Sequence, residues 1–147
     1  MYRLFVFGTL KAGFPNHRSN HGSRLPGRFV TAEAHPLYLV GERHSPWLVD
    51  DPGSGMPVYG EVYRVDEADL RRMDRLERVG EADGYRRRRI EIVDEASGER
   101  FEAEAYLKPL EQLQALSQDA LRSGPHAEYT PQLAALYRPR NQTPSAF

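Results

Sequence analysis

The sequence predicts an α+β domain that is mostly strand, with the sheet curled or closed into a barrel and two helices interspersed. Three observations carry this. Short apolar or alternating runs, bounded by Gly, Pro, Asn and Asp, recur from Tyr2 to Leu107. Only two stretches, 66–79 and 110–121, space their apolar residues as helices do. The 147 residues show no repeat and no linker, so a single domain over 1–147 with one core is expected.

Taken in order, Tyr2 to Phe7 (YRLFVF) is aromatic and apolar enough for a strand buried on both faces. Gly8 to Gly13 breaks it. Phe14 to Arg28, with Pro15, Asn16, Asn20, Gly22, Pro26 and Gly27, reads as loop with one helical turn at most. Phe29 to Ala34 and Leu37 to Val40 are short strands separated by His35-Pro36, and Ser45 to Asp50 carries the only tryptophan, Trp47. A turn cluster, Asp51-Pro-Gly-Ser-Gly, leads to an alternating strand at Pro57 to Val65. Tyr85 to Val93 and Arg100 to Leu107 form a hairpin about Ser97-Gly98. Leu110, Leu113, Leu116, Ala120 and Leu121 make a second helical stripe, closed by Gly124-Pro125, and the polar tail after Pro139 is expected to be loosely held.

The first helix, Asp66 to Val79, is the informative one. Asp66 suits the N-cap, with Asp69 at N3 of a capping box, and Gly80 and Gly84 offer the stop. With Leu70 at 0° and about 100° per residue, Met73 falls at about 300°, Leu76 at about 240° and Glu77 at about 340°. One acid thus shares the apolar stripe, while Arg71, Arg72, Arg75 and Arg78 lie opposite and Asp74 sits on the shoulder at about 40°. A carboxylate carried into an apolar setting costs free energy unless paired, and its pKa rises. Such a group is a general-base candidate; the plainer reading is an edge acid in a structural ion pair.

Composition narrows the function classes. Apolar residues make up 39% and charged residues 28%, which fits a globular, well-solvated chain. A net charge of −1 argues against nucleic-acid binding through bulk charge. Absence of Cys removes thiol nucleophiles, disulfides and cysteine-rich zinc sites. Leu4 to Phe7 is too short for a signal-peptide core and no stretch approaches a membrane span, so a cytoplasmic protein with no membrane partner is expected.

The motifs are mostly negative. Gly8-x4-Gly13 follows a strand but lacks the Lys-Ser/Thr of a nucleotide-binding loop. It remains a glycine turn whose backbone N–H groups can hold an anion or a developing oxyanion. The five histidines (His17, His21, His35, His44 and His126) show no metal-ligand spacing, and no metal is expected. Arg86 to Arg89, with Glu91, Asp94 and Glu95 nearby, reads as a solvated strand face rather than a nucleic-acid contact. Residue chemistry therefore leaves a helix carboxylate and a glycine turn, a set suited to proton transfer coupled to acyl chemistry.

Phe7-Gly8-Thr9-Leu10-Lys11-x-Gly13-x-Pro15-Asn16-His17 resembles the YGTLKxGxPNH signature of the γ-glutamylcyclotransferase-like proteins, in particular the γ-glutamylamine cyclotransferase (AIG2-like) branch. The likeness continues through Pro46-Trp47-Leu48, Pro52-Gly53-Ser54-Gly55, Gly60-Glu61-Val62-Tyr63, Asp74-x-Leu76-Glu77 and Tyr85-x-Arg87, from about residue 2 to residue 93, and fades in the C-terminal third. The resemblance implies a small mixed β-barrel with flanking helices. It also implies a signature loop, Phe7, Gly8, Thr9 and Leu10, that holds a γ-glutamyl group, and Glu77 as catalytic acid/base. Trp47 and Tyr85 are candidates for the pocket wall, with core packing the alternative for Trp47. Phe7 departs from the family's tyrosine, and 78–84 is longer than the family's usual spacing before Tyr85. The implied activity is cofactor-free release of 5-oxoproline and an amine from a small γ-glutamyl amine. The same chemistry on a γ-glutamyl dipeptide or protected intermediate, and a non-catalytic small-acid-binding domain, are the alternatives. The resemblance leaves the oligomeric state open.

Overall fold

The computed structural model describes residues 1–139, so the tail expected to be loosely held lies outside the described residues. Nine strands form one mixed sheet: β1 (Tyr2–Val6), β2 (Ser23–Arg24), β3 (Phe29–Thr31), β4 (Leu37–Val40), β5 (Ser45–Asp50), β6 (Tyr59–Val65), β7 (Arg86–Asp94), β8 (Arg100–Pro109) and β9 (Leu121–Ser123). The order β1-β6-β3-β7-β8 closes on itself because β1 also pairs with β8, in parallel, at Leu4 and Glu104. The expected barrel is therefore a closed five-stranded one. From β8 an arm of β5, β4 and β9 extends outward, β5 joining β8 in parallel at Val49 and Lys108.

Alternation along β1 explains why its sequence is apolar throughout. Phe5 and Phe7 join one core cluster with Phe29, Val62, Ile92, Ala103, Ala105 and Leu107. Leu4 and Val6, on the other face, join Tyr63, Val65 and Tyr106 under the first helix, α1 (Glu67–Leu76), whose Leu70 and Met73 are fully buried there. The strand buried on both faces is borne out, and α1 is the cover on its second face.

Differences from expectation have local causes. The second helical stripe yields only α2 (Leu110–Gln114); Leu121–Ser123 is strand β9, paired with Leu39 and Val40 of β4. Its leucines are not core: Leu121 is 41% exposed. Helical spacing there reflects a partly covered surface, and the open edge of β4 supplies backbone partners a helix would forgo. A short third helix, α3 (Pro131–Ala134), capped by the Thr130 side chain accepting from the Leu133 N–H, was not predicted. No helix among the described residues is long and apolar enough to cross a membrane.

Candidate active site

A cavity of about 470 Å³ opens at the C-terminal end of β1. Its walls bring together Phe7, Gly8, Thr9 and Leu10 of the signature loop, Glu77 from the end of α1, and Tyr85 just before β7. Four of these six residues come from 7–10 and two from 77–85, segments far apart in sequence that the fold juxtaposes.

The loop leaves β1 in a turn closed by the Lys11 N–H donating to the Gly8 carbonyl at 3.1 Å. Thr9 is tied to Asn16 twice, through the Asn16 N–H to the Thr9 carbonyl at 2.8 Å and the Asn16 amide to Thr9 Oγ1 at 3.0 Å. Among the described residues the N–H groups of Gly8, Thr9 and Leu10 donate to no backbone carbonyl, which leaves them available to an anion or oxyanion. Gly8 is favoured by proximity rather than by dihedral: a Cβ there would stand 3.0 Å from Pro46 Cγ, a contact that the Pro46 ring would have to relax. Phe7, where the family carries tyrosine, is only 8% exposed and belongs to the barrel core. Lys11 of the signature is structural: its ammonium donates to the Tyr129 carbonyl at 2.7 Å, and burial pulls its pKa down.

Glu77 is placed by how α1 ends. The helix starts as expected, with Asp66 Oδ1 accepting from the Asp69 N–H at 2.7 Å. It stops earlier, at Leu76, so Glu77 is the C-cap residue and not a member of a continuing stripe. The Arg78 and Val79 N–H groups return to the carbonyls of Arg75 and Asp74 at 3.1 and 2.9 Å, with Arg78 in the left-handed region at φ 57°. That is a Schellman closure with arginine where glycine is usual. Leu76, placed on the core stripe by the wheel, is 45% exposed and lines the cavity instead. The chain then returns through Gly84, where a Cβ would lie 1.8 Å from the Arg78 carbonyl oxygen, and the Tyr85 N–H donates to the Glu77 carbonyl at 3.0 Å.

Beside Glu77 lies a cluster that sequence reasoning missed. Tyr106 of β8 lines the cavity, and its hydroxyl donates to Asp74 Oδ1 at 2.7 Å. Arg87 Nε stands 3.0 Å from the same oxygen and Arg87 Nη1 2.8 Å from Glu104. Burial, then Asp74, and with them the nearby charge of Glu77, push the Tyr106 phenol far above the ordinary tyrosine range. No motif marks Tyr106; in the sequence it is one aromatic in an apolar strand. Asp74, on the shoulder of the wheel, is thus tied to Tyr106 and Arg87.

Tyr85 lines the cavity and donates its hydroxyl to the Pro46 carbonyl at 2.9 Å. Trp47 does not line it. Ser45 and Pro46, just before it on β5, do. The Lys108 ammonium lies 4.5 Å from the centres of both the Trp47 and Tyr85 rings, so Trp47 is linked to the wall through Lys108 and Tyr85. Arg86 to Arg89 each meet a carboxylate: the partners are Glu111, Asp74 with Glu104, Asp50, and Glu104. These acids come from β8, β5, α1 and α2, brought to β7 by strand pairing and by helix packing. Among the described residues no cluster of histidine, aspartate and glutamate could hold a metal ion.

Residues 4–129 match the family model described as gamma-glutamyl cyclotransferase, AIG2-like. The chain belongs to this family. The match runs through β8 and β9 into the C-terminal third, where motif likeness had faded. A gamma-glutamylaminecyclotransferase from Homo sapiens is 51% identical over 84 residues, 52% of this chain and 54% of that protein. One from Rattus norvegicus is 46% identical over 82 residues, 52% of this chain and 55% of that protein. The chain thus spans about half the length of the named relatives it matches. The crystal structure of an AIG2-like protein from Mus musculus superposes with a TM-score of 0.77 at 33% identity, covering 95% of this chain and 97% of that one.

Proposed function

We propose that this chain is a cyclotransferase that converts a γ-glutamyl amine, such as a γ-glutamyl-ε-lysine isopeptide, into 5-oxoproline and the free amine. The observation that carries the reading is the convergence of Glu77 and the Gly8–Leu10 amides on one cavity. The family and its named relatives support the same chemistry.

The substrate's α-ammonium cannot attack until it loses a proton. Glu77 accepts that proton; the α-nitrogen then forms a bond to the γ-carbonyl carbon, and a tetrahedral oxyanion develops. The N–H groups of Gly8, Thr9 and Leu10 are placed to stabilise it or to hold the α-carboxylate. As the bond to the leaving nitrogen breaks, the proton on Glu77 passes to that nitrogen; the ring nitrogen, which after attack carries two hydrogens and a positive charge, gives its second proton to Glu77, from which it passes to the released amine as an ammonium, so charge and protons balance. Folding the γ-glutamyl chain inside the cavity brings amine and carbonyl within reach, an entropic gain on the order of several kcal/mol. Substrate and side chains suffice for each step, and a cytoplasmic setting is part of the proposal.

The test is release of 5-oxoproline from a panel of γ-glutamyl amines and γ-glutamyl dipeptides, with wild type and Glu77→Gln. Release that falls by about 100-fold or more in Glu77→Gln, with the fold intact, is expected. Wild-type turnover in Glu77→Gln rejects Glu77 as the base. Binding without release from any panel member leaves a small-acid-binding domain instead.

A further inference from the structure

We propose that Tyr106 is a second anchor for the substrate's α-ammonium, its phenol oxygen kept as a hydrogen-bond acceptor by Asp74 and Arg87. The proposal rests on the γ-glutamyl reading above. A phenol has one hydrogen to donate and two lone pairs to accept with. In Tyr106 the hydrogen is committed, at 2.7 Å, to Asp74 Oδ1; its other hydrogen-bonding contact among the described residues, the Leu70 carbonyl at 3.4 Å, is again an acceptor. The chain, among the described residues, therefore satisfies the donor and leaves the lone pairs for a ligand.

Asp74 cannot swing away easily. Arg87 holds it at 3.0 Å and is itself held by Glu104 at 2.8 Å, while a Tyr106 only 4% exposed is fixed by packing under α1. A cation with hydrogens to give is the complementary ligand, and a γ-glutamyl substrate carries one, its α-ammonium. Glu77 and Tyr106 share the cavity, so two acceptors of different kinds face that group. Glu77 takes a proton; Tyr106, whose ionisation burial and Asp74 oppose, accepts a hydrogen bond without competing for the proton. The bond to Tyr106 limits rotation of the amine about its Cα–N bond while the proton leaves. Asp74 and Arg87 are positioning residues in this scheme, since they act through the phenol.

The probes are L-glutamate and glutarate, which differ only by the α-amine, titrated by NMR into the whole chain so that no turnover is needed. Tyr106→Phe should weaken L-glutamate about tenfold, the size of one hydrogen bond to a charged group, and change glutarate less than about twofold. Asp74→Ala frees the phenol hydrogen to turn toward the ligand; it should also weaken L-glutamate and leave glutarate unchanged or tighter. This second variant carries the test if Tyr106→Phe does not fold. Equal losses for both probes, or an unchanged ratio in both variants, overturn the proposal while leaving the γ-glutamyl reading intact. Wild-type protein that binds no L-glutamate overturns both.

Discussion

Two tyrosine–carboxylate–arginine clusters flank β1, one on each neighbouring strand, and their chemistry is nearly the same. On β6, Tyr63 donates to Glu61 Oε1 at 2.8 Å and Arg24 stands 3.2 Å from Glu61 Oε2. On β8, Tyr106 donates to Asp74 Oδ1 at 2.7 Å and Arg87 stands 3.0 Å away. They differ in what else the carboxylate touches. Glu61 also accepts the Ala12 N–H at 2.9 Å, so it pins the far side of the signature loop and is spent on structure. Asp74 lies one helical turn before Glu77, and its tyrosine stands in the cavity wall. The same three groups tether a loop in one place and prepare a surface for a ligand in the other.

The comparison can be broken from either side. The largest effect is expected from Gly84→Ala, which acts on the exit of α1 alone. A Cβ 1.8 Å from a backbone oxygen cannot be accommodated without moving the turn that carries Glu77. Thermal unfolding should show a loss of about 3 kcal/mol, and kcat for 5-oxoproline release should fall with it. Glu61→Ala comes next, stranding the Ala12 N–H and the Tyr63 hydroxyl. Denaturant titration should report about 2 kcal/mol lost, with any turnover defect appearing in KM as the loop loosens.

The paired variants Tyr106→Phe and Tyr63→Phe then separate the clusters directly. Each removes one hydroxyl and should cost about 1 kcal/mol of stability. Only Tyr106→Phe should lower kcat/KM, by about tenfold; equal effects on turnover would show that the two clusters do the same job. The smallest effect is alkaline. Burial, then Glu61, push the Tyr63 phenol up to about 12 from an ordinary value of 10.0. Its proton is therefore held more tightly folded than unfolded, and the stability this provides is present below pH 10 and lost as pH rises toward about 12. Tyr63→Phe should flatten that alkaline decline in unfolding experiments.

Strand β1, the hairpin of β7 and β8, and the start of α1 at Asp66 were legible because each depends on neighbours in sequence: alternation, a Ser-Gly turn, a capping aspartate. The signature loop and Glu77 were legible by resemblance, and helical geometry independently marked Glu77 as an acid among apolar residues. The wheel erred at Leu76 because helical periodicity marks a face without saying what covers it, and at Leu76 that face meets the cavity. It also misled at 110–121, where apolar spacing met an unpaired strand edge. Trp47, a candidate for the pocket wall with core packing as the alternative, is not among the lining residues, because an aromatic type marks a packing site without saying which neighbour it packs on.

The sequence by itself determined the element types of the barrel, the family, and the two segments that matter. Which side chains stand around the cavity was decided only by tertiary structure. Closure of β1 against β8 carries Tyr106 to the helix that bears Asp74 and Glu77, and the packing of β5, β8, α1 and α2 around β7 gives each arginine of 86–89 its carboxylate. Such contacts join residues distant in sequence, and no local propensity encodes the distance between them.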